Sequence, residues 1–261
     1  MTPAAIARAA DILRAARAEG RLLDRLPEDA RPATLAEAYA VQARLVERLG
    51  RPLAGWFLGC TNVEVQRTLG LDGPYWGRLL EGSVRSSPAA IAVPAAIAPV
   101  LEVEIAFRLG RNLPPRPAPY ERDEVAAAVA TVHLAIEVVI PHFRDWTHAP
   151  IAWLVADNGT DGALVTGAGV ADWRGLDLAA LSVILEVNGR PVRQGRGAAA
   201  MGDPLAALTW LANARAAAGD GLETGHLHNT GTLTAMYGAR VGDRARAVGG
   251  PLGEVSLRLS L

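Results

Sequence analysis

Three glutamates offer the most direct chemistry in this sequence. Glu102 and Glu104 stand two positions apart in "LEVEIAF", residues 101 to 107, an apolar run whose β-branched residues favour a strand. Successive strand side chains face opposite ways, so the two acids share one face with Ala106, and Leu101, Val103, Ile105 and Phe107 take the other. Carboxylates spaced roughly 7 Å apart at the backbone can converge on one point through their flexible side chains. "HLAIEVVI" repeats the pattern, with Leu134, Ile136 and Val138 on one face and Glu137 beside Ala135 on the other. Strand glutamates that simply face water are the plain alternative. The sharper reading is a cation site. Like charges held ~4 Å apart repel by about 4 kcal/mol at an effective dielectric of 20, so a partly buried acidic cluster takes up protons or binds a cation. Three carboxylates with no cysteine or histidine among them form a hard, oxygen-only donor set, for which Mg²⁺ or Mn²⁺ is the expected occupant.

Composition removes many competing chemistries. The chain has 261 residues, half of them apolar, with a formal net charge of −1. That is enough chain for a substantial core, with none of the basic excess of a nucleic-acid or membrane-binding surface. A small-molecule partner is therefore expected. All 26 basic residues are arginines, which excludes Schiff-base, pyridoxal-phosphate and P-loop chemistry, each of which needs a lysine amine. Cys60 is the sole cysteine, so no internal disulfide and no zinc spacing is available, and a reducing cytoplasm is the expected location. The N-terminus does not read as a secretory signal, and Asp11, Glu19 and Asp24 oppose a mitochondrial presequence. The most apolar run, "AAIAVPAAIAPV" at 89 to 100, is too short and proline-broken to span a bilayer.

The elements that must position the acids follow from periodicity. "PAAIARAADILRAARAEG" and "TLAEAYAVQARLVERLG" read as helices ending at Gly20 and Gly50, the second opened by a Thr34/Glu37 capping box. They form a lid or interface layer. From "LAGWFLGCTN" onward short strands alternate with glycine and proline, with a helical turn at "NVEVQRTLG". A soft boundary near residue 85 separates an N-terminal region, 1–85, from a β-rich body, 86–261. In that body "ERDEVAAAVATV" reads as a helix, "LSVILEVNGRPV" as a hairpin turning at Asn188-Gly189, and "GDPLAALTWLANARAAAG" as a helix with Asp203 as N-cap. The closing segment reads as strands joined by a glycine-rich turn. Without regular βαβ alternation, the expected class is α+β with a mostly antiparallel or mixed sheet.

Taken together, these segments resemble the fumarylacetoacetate hydrolase superfamily, most closely its branch of 2-hydroxypenta-2,4-dienoate (2-keto-4-pentenoate) hydratases and 4-oxalocrotonate decarboxylases. The resemblance runs from about residue 50 to the C-terminus. It rests on "LEVEIAFRLGRNLP", "LAIEVVIPHFRDW", "VADNGTDG", "GRGAAAMGDPLAALTWLAN" and "TGTLTAM", in that order. It implies a mixed β-sandwich roll with a helical N-terminal layer, and a homo-oligomer. It also implies Mg²⁺ or Mn²⁺ held by Glu102, Glu104 and Glu137, chelating a 2-oxo acid and stabilising its enolate. Asn158, Thr160 and Thr232 match positions that line the substrate pocket.

Two positions depart from the branch's pattern. Its Gly-x-Lys-[Ile/Val]-Gly strand appears as "GWFLG", with Phe57 in place of the lysine, and its Pro-Asp-[Phe/Tyr]-Gly loop as "PYWG", with Tyr75 in place of the aspartate. A phenyl ring transfers no proton, and a phenol with its ordinary pKa near 10 is a poor base at neutral pH. Phe57 is thus expected to contact substrate and Tyr75 to donate. Among the histidines, His142 follows the Glu137 strand most closely and is the first proton-carrier candidate. Asp145, His148, His226 and His228 come after it. The expected activity is a divalent-metal-dependent lyase on a 2-oxo or 2-hydroxy-dienoic acid, with decarboxylation, isomerisation or cyclisation as alternatives. From a different class, the rival is a non-catalytic subunit in complex with a paralogous enzyme, for which loss of the lysine and aspartate together would be the expected decay.

Overall fold

The structure is a computed structural model that describes residues 1–261 apart from the side chain of Thr68. Its strands, numbered along the chain, are β1 (Leu53–Gly59), β2 (Tyr75–Leu80), β3 (Val84–Ser86), β4 (Ala89–Ala92), β5 (Val100–Leu109), β6 (Val129–Val139), β7 (Ala163–Thr166), β8 (Ser182–Val187), β9 (Arg190–Arg196), β10 (Leu227–Asn229), β11 (Tyr237–Gly238), β12 (Arg244–Val248) and β13 (Glu254–Ser260). The α-helices are α1 (Pro3–Glu19), α2 (Leu35–Leu49), α3 (Val63–Leu69), α4 (Arg122–Ala128), α5 (Ile151–Ala156) and α6 (Pro204–Ala217).

Local chemistry accounts for most of these limits. The hydroxyls of Thr2 and Thr34 accept N–H groups in the first turns of α1 and α2, and Gly20 and Gly50 close both helices in the left-handed conformation. Asp203 caps α6 through the Leu205 N–H at 2.9 Å, with Pro204 at its first position. Asn188 and Gly189 turn the β8–β9 hairpin at φ of 52° and 77°. One helix is shorter than its pattern suggests: α4 stops at Ala128, and the β-branched run from Val129 joins β6. Pairing with β5 along ten registered positions overrides the helical tendency of the alanines there.

Two sheets stack face to face. The larger runs β2-β1-β10-β5-β6-β7-β3, with β11 also on β5, and the smaller runs β4-β13-β12-β8-β9. Antiparallel pairs predominate, with β1–β10, β3–β7 and β4–β13 parallel. Because β1 to β3 pair into the same sheet as β5 to β7, no sheet boundary falls at residue 85. The fold is therefore the mixed α+β two-sheet roll with a helical layer.

The two faces of the large sheet bury different things. Leu101, Val103, Ile105, Phe107, Leu134, Ile136 and Val138 pack toward the small sheet with Val183, Leu185, Val255 and Leu257. On the opposite face, Phe57, Tyr75, Ala106 and Ala135 join Ala9 and Leu13 of α1 and Val41 and Leu45 of α2. Each such leucine stabilises the layer by about 1.5–3 kcal/mol. Glu102, Glu104 and Glu137 alternate with the first set along β5 and β6. They therefore project from the face that α1 and α2 cover.

Candidate metal centre and its aromatic wall

Antiparallel register places Glu102 opposite Glu137 and Glu104 opposite Ala135. The three side chains converge, and one carboxylate oxygen from each lies within 4.8 Å of the others. Glu104 and Glu137 are buried, and Glu102 keeps partial contact with solvent. Asn229, at the end of β10, donates from Nδ2 to Glu104 Oε2 at 2.9 Å and to Glu137 Oε2 at 3.2 Å, and the Gly231 N–H reaches Glu104 Oε2 at 2.8 Å. Two buried acceptors in this cluster, Glu104 Oε1 and Asn229 Oδ1, have no protein partner.

Burial and mutual repulsion dominate the electrostatics. Burial, followed by the charge on Glu137, pushes the Glu102 carboxyl up to about 8. Burial and the Glu102 charge push Glu104 up to about 8 as well, despite the donors from Asn229 and Gly231. Burial and Glu104 hold Glu137 well above its ordinary range. The cluster thus needs either protons or a cation. A hard divalent ion fits the donor set, and Glu104 Oε1 is a buried lone pair available to it.

The neighbouring strands supply rings. Phe57 pairs with Asn229, and Asn229 with Ala106, so Phe57 stands on the acidic face two strands from β5. Glycines make space for both rings. A Cβ on Gly77 would lie 2.1 Å from Phe57 Cζ, and one on Gly59 would lie 2.1 Å from Tyr75 Cζ. Both rings also abut Gly159, where a Cβ would meet Phe57 Cζ at 2.8 Å and Tyr75 Cε2 at 2.9 Å. Burial first, and then the charges of Cys60, Glu102 and Glu137, hold the Tyr75 phenol well above its ordinary range. At neutral pH it is a hydrogen-bond donor and no base.

Other residues singled out in the sequence take different positions. The His142 ring is buried, its Nδ1 3.0 Å from Asp157 Oδ2. Asp145 and His148 pair with each other on the surface. His228 is buried with its Nδ1 accepting the Trp56 N–H at 3.2 Å, and burial pushes it down to about 3, so it stays neutral. His226 lies near Glu223, at 3.8 Å. Asn158 exchanges two bonds with the Arg78 backbone, at 2.8 and 2.9 Å. Thr232 donates to the Thr234 carbonyl at 2.9 Å. Thr160 is buried at φ 65°, between Gly159 and the start of β7. Sequence reasoning missed Asn229 and Gly231, which orient the carboxylates. Their one signal was a polar "HNTG" turn following the apolar Leu227.

Residues 76–259 match the family of fumarylacetoacetate (FAA) hydrolase C-terminal domains. The chain is 35% identical over 246 residues to a 2-keto-4-pentenoate hydratase of Paraburkholderia xenovorans, covering 93% of this chain and 90% of that one. It is 31% identical over 228 residues to a 4-oxalocrotonate decarboxylase of Pseudomonas putida, covering 86% and 85%. Among solved structures, the 4-oxalocrotonate decarboxylase of Pseudomonas putida G7, complexed with magnesium and adipate, superposes with a TM-score of 0.90 at 26% identity, covering 99% of this chain and 98% of that one. Fold, carboxylate cluster and relatives agree: the chain belongs to the fumarylacetoacetate hydrolase family, among its hydratase and decarboxylase enzymes.

Proposed function

We propose that the protein is a divalent-metal-dependent lyase acting on a 2-oxo or 2-hydroxy-dienoic acid, with Glu102, Glu104 and Glu137 holding Mg²⁺ or Mn²⁺. The observation that carries this reading is the convergence of three buried or half-buried carboxylates with an unpartnered Glu104 Oε1. When bound, the cation supplies Lewis acidity to the carboxylate and keto oxygens of a 2-oxo acid. Asn229 and Gly231 fix the Glu104 carboxylate, and the half-exposed Glu102 marks the open side from which substrate enters. Phe57 and Tyr75 wall the site with apolar surface, and the protonated Tyr75 phenol donates a hydrogen bond without removing a proton. Asn158, Thr160 and Thr232 contribute to the pocket lining, and the assembly is a homo-oligomer.

Water addition to the dienoate is the leading reaction. A second reading, decarboxylation of a related 2-oxo acid, is favoured by Phe57 and Tyr75, which replace an ammonium and a carboxylate with rings and leave fewer groups to activate water. The test is calorimetric binding of Mg²⁺ and Mn²⁺, followed by turnover of 2-hydroxypenta-2,4-dienoate and of 4-oxalocrotonate with the products identified. Failure to bind either metal, or binding unchanged by Glu102→Ala and Glu137→Ala, would overturn the metal assignment. Metal binding without turnover of either acid would favour the non-catalytic subunit.

A further inference from the structure

Between α1 and the sheet lies a buried charged network for which the proposed reaction has no use. Arg17, in the last turn of α1, donates from Nε to Asp157 Oδ1 at 2.7 Å and from Nη2 to the Asp157 carbonyl at 2.6 Å. The same Nη2 lies 2.7 Å from Asp161 Oδ1. The second Asp157 oxygen contacts His142 Nδ1 at 3.0 Å. Side-chain exposures of 12% for Arg17, 0% for Asp157 and 9% for Asp161 put the whole set out of bulk water.

These contacts grip both ends of one short segment. Within 157–161, Asn158, Gly159 and Thr160 are all left-handed, at φ of 50°, 68° and 65°. Two of the three are not glycine, and Thr160 is β-branched, so the backbone is strained and persists only if its surroundings over-determine it. The segment is also the wall of the proposed pocket: Gly159 meets both the Phe57 and Tyr75 rings, and Asn158 ties it to β2. The planar guanidinium fork hydrogen-bonds Asp157 through both Nε and Nη2 while its charge pairs with Asp161, a geometry that a compact ammonium does not reproduce. Asp161 acts electrostatically on Glu137, so the same cation also offsets a negative charge beside the acid cluster.

We infer that Arg17 is a positioning residue: α1 delivers its guanidinium to both Asp157 and Asp161, and this clamp holds the strained 158–160 turn against Phe57 and Tyr75. The claim that this turn faces substrate rests on the proposed function; the clamp itself does not.

Three amides report on the clamp directly. Thr160 N donates to the Asp157 carbonyl, Ile140 N to the Thr160 carbonyl and Arg78 N to Asn158 Oδ1. Hydrogen–deuterium exchange of the full chain is measured for wild type, Arg17→Met and Arg17→Lys, alongside Mg²⁺-dependent binding of oxalate as an enolate mimic. Arg17→Met is expected to speed exchange at these three amides at least tenfold, with α2 and β5 unchanged. Oxalate binding should weaken about tenfold while Mg²⁺ affinity alone changes less than threefold. Millimolar methylguanidinium should restore both, and Arg17→Lys should recover only part. Exchange unchanged at the three amides, exchange raised equally across α2 and β5, or no recovery with methylguanidinium would each overturn the inference. Should Arg17→Met fail to fold, Arg17→Lys decides: at least threefold faster exchange at those amides upholds the clamp, and none overturns it. Wild type that binds no oxalate in Mg²⁺ would instead sink the proposed function and leave the exchange result standing.

Discussion

The two halves of the site occupy one sheet face and are built by opposite means. On β5 and β6, three acids crowd together and leave a buried oxygen bare. On β1 and β2, two rings fill space that Gly59, Gly77 and Gly159 give up, and the one charged side chain of these strands, Arg78, packs over the Trp56 ring. The acidic half is electrostatically incomplete without a cation or protons, whereas the aromatic half is sterically complete. On the proposed function, binding energy for a metal resides on β5 and β6, and shape selectivity on β1 and β2. This division is open to attack from either side.

The largest expected effect comes from the acidic half. Glu104→Gln removes one negative charge from the cluster and leaves the Asn229 and Gly231 donors facing a neutral amide. Mg²⁺ affinity should fall at least a hundredfold, about 2.8 kcal/mol, and turnover should go with it. Calorimetry checks the binding, and near-ultraviolet circular dichroism checks that the fold survives. Affinity within threefold of wild type would move the metal elsewhere.

Proton linkage gives the next effect. Folding raises Glu102 and Glu104 from 4.5 to about 8, so between those values the folded state holds protons that the unfolded chain has released. Stability of the metal-free protein must then fall as pH rises through that window. His228, pushed down to about 3, works the other way up to 6.5, which leaves 6.5 to 8 as the interval where the glutamates dominate. Thermal midpoints should drop by several degrees from pH 6.5 to 8, and saturating Mg²⁺ should flatten the slope and release protons on binding. A metal-free profile that rises over this interval would contradict the acidic cluster's electrostatics.

The acidic half was legible in the sequence because strand periodicity is local: alternation alone puts Glu102, Glu104 and Glu137 opposite the leucines and isoleucines that pack the core. The capped ends of α1, α2 and α6 were legible for the same reason. Asn229 and Arg17 were not, because their partners lie 125 and 140 residues away and depend on strand order and helix docking. His142 shows what proximity in sequence leaves out. It follows the Glu137 strand closely, yet the chain turns and its ring is taken by Asp157. α4 was read too long because no local signal marks where alanines yield to pairing with β5.

On the aromatic side, Gly77→Ala tests whether packing is as tight as the rings imply. Its Cβ would arrive 2.1 Å from Phe57 Cζ and 2.9 Å from the Asn158 carbonyl oxygen, so the ring must leave its place. Overpacking of this kind costs about 1–3 kcal/mol, read as a lower urea midpoint. Mg²⁺ affinity should change less than threefold, because the metal side does not depend on the ring. A coupled loss of both would show that the halves are not independent.

The smallest and most informative effect is expected from Phe57→Lys combined with Tyr75→Asp, which restores the ammonium and carboxylate of the hydratase pattern. Phe57→Lys alone brings a cation to the acidic face, where it competes with metal for the glutamates' charge, so Mg²⁺ affinity should fall about tenfold, or 1.4 kcal/mol. Tyr75→Asp alone adds a carboxylate near Glu102 and Glu137, whose charges already act on Tyr75, and should raise metal affinity instead. In the double variant the new charges offset each other. Metal affinity should return to within threefold of wild type, and water addition to 2-hydroxypenta-2,4-dienoate should rise about tenfold, followed by loss of dienoate absorbance. Recovery of metal affinity without any gain in hydration would mean that Phe57 and Tyr75 had never displaced the proton-handling groups, and that the rings select a substrate for which this dienoate is too small.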